Sequence, residues 1–273
     1  MLSEKAVVDH YYHGDLLNSI KDAINELGKT PETVSIDDLA AVDEFHIGGR
    51  EATEHLLGQI KISKQDHIID LGCGLGGTAR YIAKKYASKI TGIDLTQEYI
   101  DTGNTMSSWL KLNKQVSLQQ GSVLSMPFDE GTFDVGYMMH LGMNIENKEQ
   151  FFKEVFRVLR PGSSFGIYDV MQMNTGEIVY PVPWATTAST SYVDTSENYK
   201  QAIENAGFVV TAENNRREFA LMFFEKLREK NLKPETLGLQ TLMQNTTTEK
   251  IKNMVSNISS ELLAPVELII KKY

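Results

Sequence analysis

The sequence predicts an α/β protein built on a doubly wound, mixed sheet of seven strands, and three observations carry that prediction. Short apolar segments alternate with helical periodicity from about residue 67 to residue 212. A glycine-rich turn at residues 72–77 joins the first strand to the helix after it. A long helical stretch separates the last two strand signals. Alternation of this kind is typical of a mainly parallel sheet with helices on both faces.

The individual elements follow from apolar spacing and from helix stop signals. Strands are predicted at residues 68–70, 89–94, 116–119, 133–139, 165–169, 208–211 and 266–270. Helices are predicted at residues 16–27, 51–60, 78–86, 97–112, 148–159 and 198–206. Gly28 is a candidate C-cap, and Pro161-Gly162 ends the helix before the fifth strand, because proline cannot continue a helix.

The same pattern predicts four segments along the chain. Residues 1–54 form an N-terminal helical segment that we expect to cover the ligand site. Residues 55–215 form the core, and residues 263–273 supply its final strand. Residues 216–262 form a helical insertion between the last two strands, predicted to be a lid, because such an insertion cannot lie inside the sheet.

Composition excludes several classes of function. The chain has 273 residues, 41% hydrophobic residues and a net charge of −9, which opposes binding to nucleic acid or to an anionic membrane. Cys73 is the only cysteine, so no intramolecular disulfide can form, and no metal site is predicted. The sequence shows neither a signal peptide nor an apolar run of roughly 20 residues, so a cytoplasmic protein is expected.

The glycine-rich turn allows two ligands and one purely structural interpretation. Gly72, Gly74 and Gly77 fit the G-x-G-x-x-G dinucleotide fingerprint. Gly72, Gly74 and Gly76 fit the G-x-G-x-G loop of enzymes that use S-adenosyl-L-methionine (SAM). A turn without a ligand is the third interpretation. Asp70, two positions before the first glycine, favours SAM, because a carboxylate attracts its α-ammonium group and would repel a pyrophosphate.

Polar residues at the ends of later strands are candidate ligand contacts, because ligands of open α/β sheets bind beyond the carboxyl ends of the strands. Asp94 lies 22 positions after Gly72 and suits a ribose diol, or alternatively caps a helix. Ser122 suits an adenine edge or an ordinary turn. His140 ends the fourth strand and is either catalytic or structural.

The ordered set of motifs resembles the class I SAM-dependent methyltransferases over residues 55 to 212. The segments that carry the resemblance are Asp70-Leu-Gly72-Cys-Gly74-Leu-Gly76, Gly92-Ile-Asp94, Phe133-Asp-Val and Arg157-Val-Leu-Arg-Pro-Gly162. Residues 43–49 and 139–145 extend it towards sarcosine/dimethylglycine and phosphoethanolamine N-methyltransferases. One departure is Gly121-Ser122, where the family often has Gly-Asp, so the adenine amino group would need another acceptor.

The resemblance implies a Rossmann-like fold, SAM as cofactor and S-adenosyl-L-homocysteine (SAH) as product. It also implies a role for each matching position. Gly72, Gly74 and Gly76 would pass under the methionine moiety of SAM, and Asp70 would lie near its ammonium group. Asp94 would bind the ribose, and Leu95 would pack on the adenine. Ser122 and Val123 would lie at the adenine edge, and His140 would lie near the sulfonium.

Methyl transfer to an amine or hydroxyl also needs a group that removes a proton. His140 is the first candidate, because imidazole titrates near neutrality. Tyr11 and Tyr12 are candidates for orienting the acceptor, or they are packing aromatics. His46, Trp184 and Arg216 are candidate substrate contacts: Trp184 for an ammonium by cation–π attraction and Arg216 for a carboxylate. Burial in the core or exposure to solvent is the alternative for each.

The predicted function is therefore SAM-dependent methyl transfer to a small-molecule acceptor by in-line displacement, with an amine nitrogen as the favoured acceptor. An O- or C-methyltransferase of a hydrophobic molecule such as a quinone or polyketide is the alternative, since the helical insertion is apolar. A NAD-dependent oxidoreductase and a non-catalytic SAM-binding module are further alternatives. No nucleic-acid or membrane partner is expected, and the sequence leaves monomer and dimer both open.

Overall fold

The computed structural model describes residues 2–230 and 237–273, and its centre is a single seven-stranded sheet. The strands are β1 (His67–Leu71), β2 (Lys89–Asp94), β3 (Val116–Gln120), β4 (Phe133–Met139), β5 (Leu159–Gln172), β6 (Val209–Asn215) and β7 (Leu263–Lys271). Their order across the sheet is β3-β2-β1-β4-β5-β7-β6. The predicted seven-stranded mixed sheet is confirmed.

Helices flank this sheet and precede it. They are α1 (Leu2–Tyr11), α2 (Leu16–Glu26), α3 (Ile36–Asp43), α4 (Gly49–Gly58), α5 (Gly77–Tyr86), α6 (Gln97–Trp109), α7 (Lys148–Val158), α8 (Ser196–Asn205), α9 (Arg217–Lys230), α10 (Leu239–Met243) and α11 (Thr247–Ser259). In the described part of the chain, none of them is both long and apolar enough to cross a membrane.

The direction of the strands fixes where ligands can bind. Strand β1 pairs in parallel with β2 and with β4, while β2–β3 and β4–β5 are parallel as well. Strand β7 lies antiparallel between β5 and β6. The chain moves outward in one direction from β1 to β3 and in the other from β4, so a crevice opens beyond the carboxyl ends of β1 and β4.

Several strands are longer than the sequence indicated, because pairing extends them. Strand β5 begins at Leu159, which pairs with Phe133, and the backbone N–H of Gly162 donates to the carbonyl of Lys272 at 2.7 Å. The turn predicted to follow α7 therefore lies within β5. Strand β6 continues to Asn215, which pairs with Val266 of β7.

The additional helices cover the carboxyl edge of the sheet. Helices α1 to α4 precede β1. Buried residues of α2 and α3 join a cluster with Leu75, Tyr99 and Met106, whereas those of α4 pack in another cluster with Ile68 of β1. Helices α9 and α11 pack with Val170 of β5 and Met143 in a second cluster. Residues 231–236 of the predicted insertion lie outside the described residues.

Candidate active site

The glycine loop opens the backbone at the carboxyl end of β1. Gly72 and Gly74 have φ angles of +67° and +52°, a left-handed conformation that side chains with a Cβ rarely adopt. The N–H groups of Gly72 and Cys73 both donate to the carbonyl of Ile93, at 2.9 and 3.1 Å. A Cβ on Gly74 would have only Tyr99 within reach, at 3.9 Å, so backbone conformation rather than crowding requires this glycine.

Asp94 at the end of β2 is held by the backbone on both carboxylate oxygens. The N–H of Gly74 donates to Oδ2 at 3.0 Å, and the N–H of Thr96 donates to Oδ1 at 2.9 Å. Burial raises the pKa of Asp94, and these two N–H groups oppose that shift. The carboxylate is thus fixed beside the glycine loop, with lone pairs left to accept hydroxyl donors.

Asp70, near the end of β1, is a buried acid with one carboxyl oxygen that lacks a partner. Its side chain is nearly inaccessible, and Oδ2 makes no hydrogen bond within the described residues. Burial raises the pKa of Asp70 to about 7, with the Tyr137 hydroxyl opposing and the charges of Asp94 and Glu44 adding to the increase. An unpaired buried carboxyl group facing a cavity is suited to a cationic ligand.

These residues line one continuous space, which we call the glycine-loop cavity. Its lining includes the predicted residues Tyr11, His46, Asp70, Gly72, Gly74, Asp94, Leu95, Val123 and His140. It contains several carboxylates, and no lysine or arginine belongs to the lining that the structure describes. The cavity therefore favours a ligand with positive charge.

Helix α1 covers the glycine-loop cavity and is tied to the core by polar contacts. Glu4, Val7 and Tyr11 of α1 line the cavity, and Asn144 Nδ2 donates to the Tyr11 hydroxyl at 3.2 Å. The hydroxyl of Ser122 donates to the Glu4 carboxylate. These contacts hold α1 over the carboxyl edge of the sheet.

The turn after α1 is anchored by Glu98 of α6. Its carboxylate accepts hydrogen bonds from the backbone N–H groups of His13, Gly14 and Leu16, at 2.8, 3.1 and 3.0 Å. These donors lower the pKa of Glu98, although burial raises it. One side chain therefore fixes the point from which α1 extends over the cavity.

A second space, the apolar cavity, adjoins the first. The two share Tyr11, Phe45, His46 and His140. Helices α9 to α11 contribute Phe223, Phe224, Leu239, Met243, Ile251 and Met254. Apart from the two histidines, the described lining of this cavity holds no acidic or basic side chain. It is suited to an apolar molecule whose reactive end points at the shared residues.

His140 lies at the junction of the two cavities in an unusual backbone conformation. Its φ angle is +54°, and its N–H donates to the Tyr168 carbonyl at 2.7 Å. The imidazole stacks on the Tyr168 ring at a centroid distance of 5.1 Å, and Nε2 has no hydrogen-bond partner in the described structure. Burial, with His46 adding to it, lowers the pKa of His140 well below its usual value. The ring is therefore neutral at pH 7.

Four predicted contacts lie outside both cavities. Tyr12 is 64% exposed, and the Arg216 guanidinium pairs with the buried Glu267 at 3.2 Å. Gly76 is the N-cap of α5, where a Cβ would meet Leu118 at 2.7 Å. The described lining of both cavities lacks these three residues and also Ser122, whose hydroxyl is bonded to α1.

Trp184 lines the apolar cavity, but its polar edge is already used. The side chain is 2% exposed, and Nε1 donates to the Ser191 hydroxyl at 2.9 Å. Trp184 is therefore part of a packed wall, and only its ring remains available to a bound molecule.

Sequence inspection missed the buried pair of Arg80 and Asp43. Arg80 Nη2 donates to Asp43 Oδ1 at 2.5 Å, and its Nη1 donates to the carbonyl of Leu75 in the glycine loop at 2.6 Å. The signal that could have found it is an arginine on the face of α5 that carries Ala79 and Ile82. The pair ties α3 to the glycine loop and so shapes the cavity from behind.

The described residues contain no group of three or more His, Cys, Asp or Glu side chains able to hold a metal ion.

Comparison with known proteins gives a match at the centre of the chain. Residues 69–167 match the family model described as a methyltransferase domain. This match spans the glycine loop, Asp94 and His140. The resemblance found in the sequence motifs is confirmed.

Curated relatives match this chain over part of its length. A sterol 4-C-methyltransferase of Caenorhabditis elegans is 31% identical over 120 residues, 44% of this chain and 36% of that protein. Norajmaline N-methyltransferase of Rauvolfia serpentina is 32% identical over 111 residues, 41% of this chain and 38% of that protein. The matched segments span only 28 to 36% of the length of the first four curated relatives.

Solved structures match over most or all of the chain. Geranyl diphosphate C-methyltransferase from Streptomyces coelicolor A3(2), solved with Mg2+, geranyl-S-thiolodiphosphate and SAH, superposes with a TM-score of 0.72 at 16% sequence identity. The alignment covers 100% of this chain and 99% of that one. At this sequence identity the likeness establishes the fold of the chain alone.

Proposed function

We propose that this protein is a SAM-dependent methyltransferase that acts on a small molecule. The observation that carries the proposal is the junction of the two cavities. An acid-lined cavity at the glycine loop meets an apolar cavity at Tyr11, Phe45, His46 and His140. A cationic methyl donor and an apolar acceptor would meet at that junction.

The residues of the glycine-loop cavity fit SAM by their chemistry. The unpaired Oδ2 of Asp70 and the unpaired Oδ1 of Asn144 would accept hydrogen bonds from the α-ammonium group. Asp94 would accept both ribose hydroxyls, and Leu95 and Val123 would contact the adenine. Two carboxylates in a cavity whose described lining holds no lysine or arginine argue against NAD, because its pyrophosphate is anionic.

The bound cofactor supplies a methyl group on a positively charged sulfur, a centre that is already activated. The protein therefore mainly orients the acceptor and excludes water. Helix α1 excludes water from above, through Tyr11 and its bond to Asn144. Burial raises the pKa of the Tyr11 phenol, so its hydroxyl stays neutral and can donate to an acceptor oxygen or nitrogen. His140 would lie beside the reacting atoms, and its Nε2 has no partner in the described structure.

The apolar cavity supports a hydrophobic acceptor over the charged amine favoured by the sequence. A protonated amine would enter a cavity whose described lining has no carboxylate, and only aromatic faces such as that of Trp184 could stabilise its charge. An acceptor with a hydroxyl group or an acidic C–H on an apolar body matches the lining. The relatives include a sterol 4-C-methyltransferase and norajmaline N-methyltransferase, so the methyl acceptor is a carbon atom in one and a nitrogen atom in the other.

Calorimetric titration with SAH, with NAD as control, tests the cofactor. We expect SAH to bind and NAD not to bind; absence of SAH binding would refute the proposal. Transfer from methyl-labelled SAM to 1-naphthol and to 1-naphthylmethylamine then compares a neutral and a cationic acceptor of similar size. Transfer to 1-naphthol alone supports a hydrophobic acceptor, while transfer to the amine alone restores the amine prediction. SAH binding without transfer to these or to a wider panel of phenols, quinones and amines indicates a non-catalytic SAM-binding module.

A further inference from the structure

His46 has a ring whose protonated nitrogen is determined by its neighbours. Nε2 lies 3.0 Å from the carbonyl oxygen of Gly49 and 3.0 Å from the hydroxyl oxygen of Thr53. A carbonyl oxygen can only accept, so Nε2 carries the hydrogen. Nδ1 then keeps its lone pair, and it has no hydrogen-bond partner in the described structure. His46 lines both cavities, so this lone pair belongs to the junction.

A buried carboxylate stands behind the same ring. Glu44 Oε2 lies 3.4 Å from His46 Nε2 and accepts the hydroxyl of Thr53 at 2.7 Å. Its other oxygen accepts Arg50 Nε at 2.5 Å, and the Glu44 side chain is 2% exposed. Thr53 thus lies between the imidazole and an anion. A proton arriving on Nδ1 would create a cation next to that anion, which stabilises it.

His140 lacks such support. Its ring contacts are the stacked Tyr168 and the edge of His46, at a centroid distance of 6.1 Å. In the described structure it pairs with no carboxylate, and Nε2 is buried without a partner. A proton on His140 would be an isolated buried charge beside His46, which is unfavourable.

We propose that His46, rather than His140, removes the proton of the acceptor, with Thr53 and Glu44 as positioning residues. This inference rests on the proposed methyltransferase function. A lone pair of the acceptor oxygen forms the new bond to the methyl carbon, and the carbon–sulfur bond breaks with its electron pair going to sulfur. The acceptor O–H bond breaks, and its proton goes to His46 Nδ1 and later to solvent. His140 accepts or donates a hydrogen bond that orients the acceptor.

The resting state of His46 suits this role. The groups facing it are Glu44, Arg50, Thr53, His140 and Tyr168. Burial lowers the pKa of His46, Arg50 lowers it further, and Glu44 together with the Gly49 carbonyl opposes the decrease. The imidazole is neutral at pH 7 and therefore available as a base.

The first test needs no acceptor. Nitrogen-15 NMR of labelled histidines at pH 7, with SAH bound, reports which ring nitrogen is protonated. We expect His46 to be protonated on Nε2 alone, with Nδ1 bare. Thr53→Val should lower the pKa of His46, whereas Thr53→Ser should restore it. Thr91→Val is the matched control, because the Thr91 hydroxyl also lies within hydrogen-bond distance of a histidine, at 2.8 Å from His67 Nε2. Neither residue belongs to the lining of the two cavities. A His46 protonated on Nδ1 would overturn the proposal.

The second test is kinetic, with 1-naphthol as the probe. We expect His46→Gln to lower kcat by about 10²- to 10⁴-fold with little change in KM or in SAH affinity. Thr53→Val should lower kcat about tenfold and Thr53→Ser should recover it. His140→Gln should cost less than His46→Gln. A His46→Gln enzyme that keeps kcat within about threefold would contradict the assignment.

The two proposals fail in different ways. If the wild-type protein does not bind SAH, the methyltransferase function fails and this inference fails with it. If it binds SAH and His46 shows the wrong tautomer, only this inference fails. If SAH binds but 1-naphthol is not methylated, the NMR measurement alone decides.

Discussion

Replacing Asp94 by asparagine is the sharpest perturbation of the proposed cofactor site. The side chain keeps its size, so the end of β2 need not repack. In the wild-type protein the two carboxylate oxygens of Asp94 accept the backbone N–H groups of Gly74 and Thr96. The substitution converts one of these oxygens into an NH2 group. In either orientation the new NH2 therefore faces one of these two donors.

The magnitude follows from the hydrogen bonds that Asp94 would make to a ribose diol. A hydrogen bond to a charged group contributes about 1.5–3 kcal/mol, against about 0.5–1.5 kcal/mol for a neutral pair. Replacing two charged bonds by neutral ones costs about 2–3 kcal/mol in binding. Since about 1.4 kcal/mol is a factor of ten, the Kd for SAH should rise roughly 30- to 150-fold.

Isothermal calorimetry with SAH measures this change, with circular dichroism to check that the variant is folded. Asp66→Asn is the matched control, because Asp66 accepts the Ser63 N–H at 2.7 Å at the opposite end of the sheet. Removing the 2′-hydroxyl of SAH should raise the Kd strongly for the wild-type protein and only weakly for Asp94→Asn. A folded Asp94→Asn protein whose Kd changes less than about threefold would refute the ribose assignment.

Three further predictions concern stability, the cover and the acceptor. Burial raises the pKa of Asp70 to about 7, so the folded state retains a proton that the unfolded chain loses above about pH 4. The contribution of Asp70 to the free energy of unfolding should therefore fall by up to about 4 kcal/mol as pH rises from about 4 to 7. Asp70→Asn should flatten that slope in urea titrations, and an unchanged slope would mean another group titrates. Glu98→Ala removes the acceptor of three N–H groups, so α1 should exchange amide hydrogen faster and SAH should dissociate several-fold faster, with stopped-flow release as the measurement. Ile251→Trp should fill the apolar cavity and raise the KM for 1-naphthol at least tenfold while SAH affinity stays within twofold; equal loss of both would place the acceptor elsewhere.

Local patterns predicted several residues that line the glycine-loop cavity. Asp70, Gly72, Gly74 and Asp94 all lie on strand ends or on the turn directly after a strand. Parallel strands bring their carboxyl ends to one edge, so residues distant in sequence meet there without any knowledge of packing. Gly76 and Ser122 were assigned to the ligand by the same logic, yet one caps α5 and the other is bonded to Glu4 of α1.

The acceptor side depended on contacts between elements. Tyr11 and Tyr12 are adjacent in sequence, but only Tyr11 points into the cavities, because α1 ends there and the next residue turns to solvent. Arg216 pairs with Glu267 of β7, a strand about fifty residues later in the chain. The support of His46 by Thr53 and Glu44 likewise arises because the turn before α4 folds back on the first turns of that helix.

Residue order alone predicts the alternating strands and helices, the glycine loop and the acids near the ends of β1 and β2, because these depend on periodicity and on the conformational preferences of single residues. Packing between elements determines which side chains line the apolar cavity and why the Glu44 carboxylate lies beside His46 and not beside His140. Those properties depend on burial and on the orientation of one element against another, and neither leaves a periodic signal in the chain.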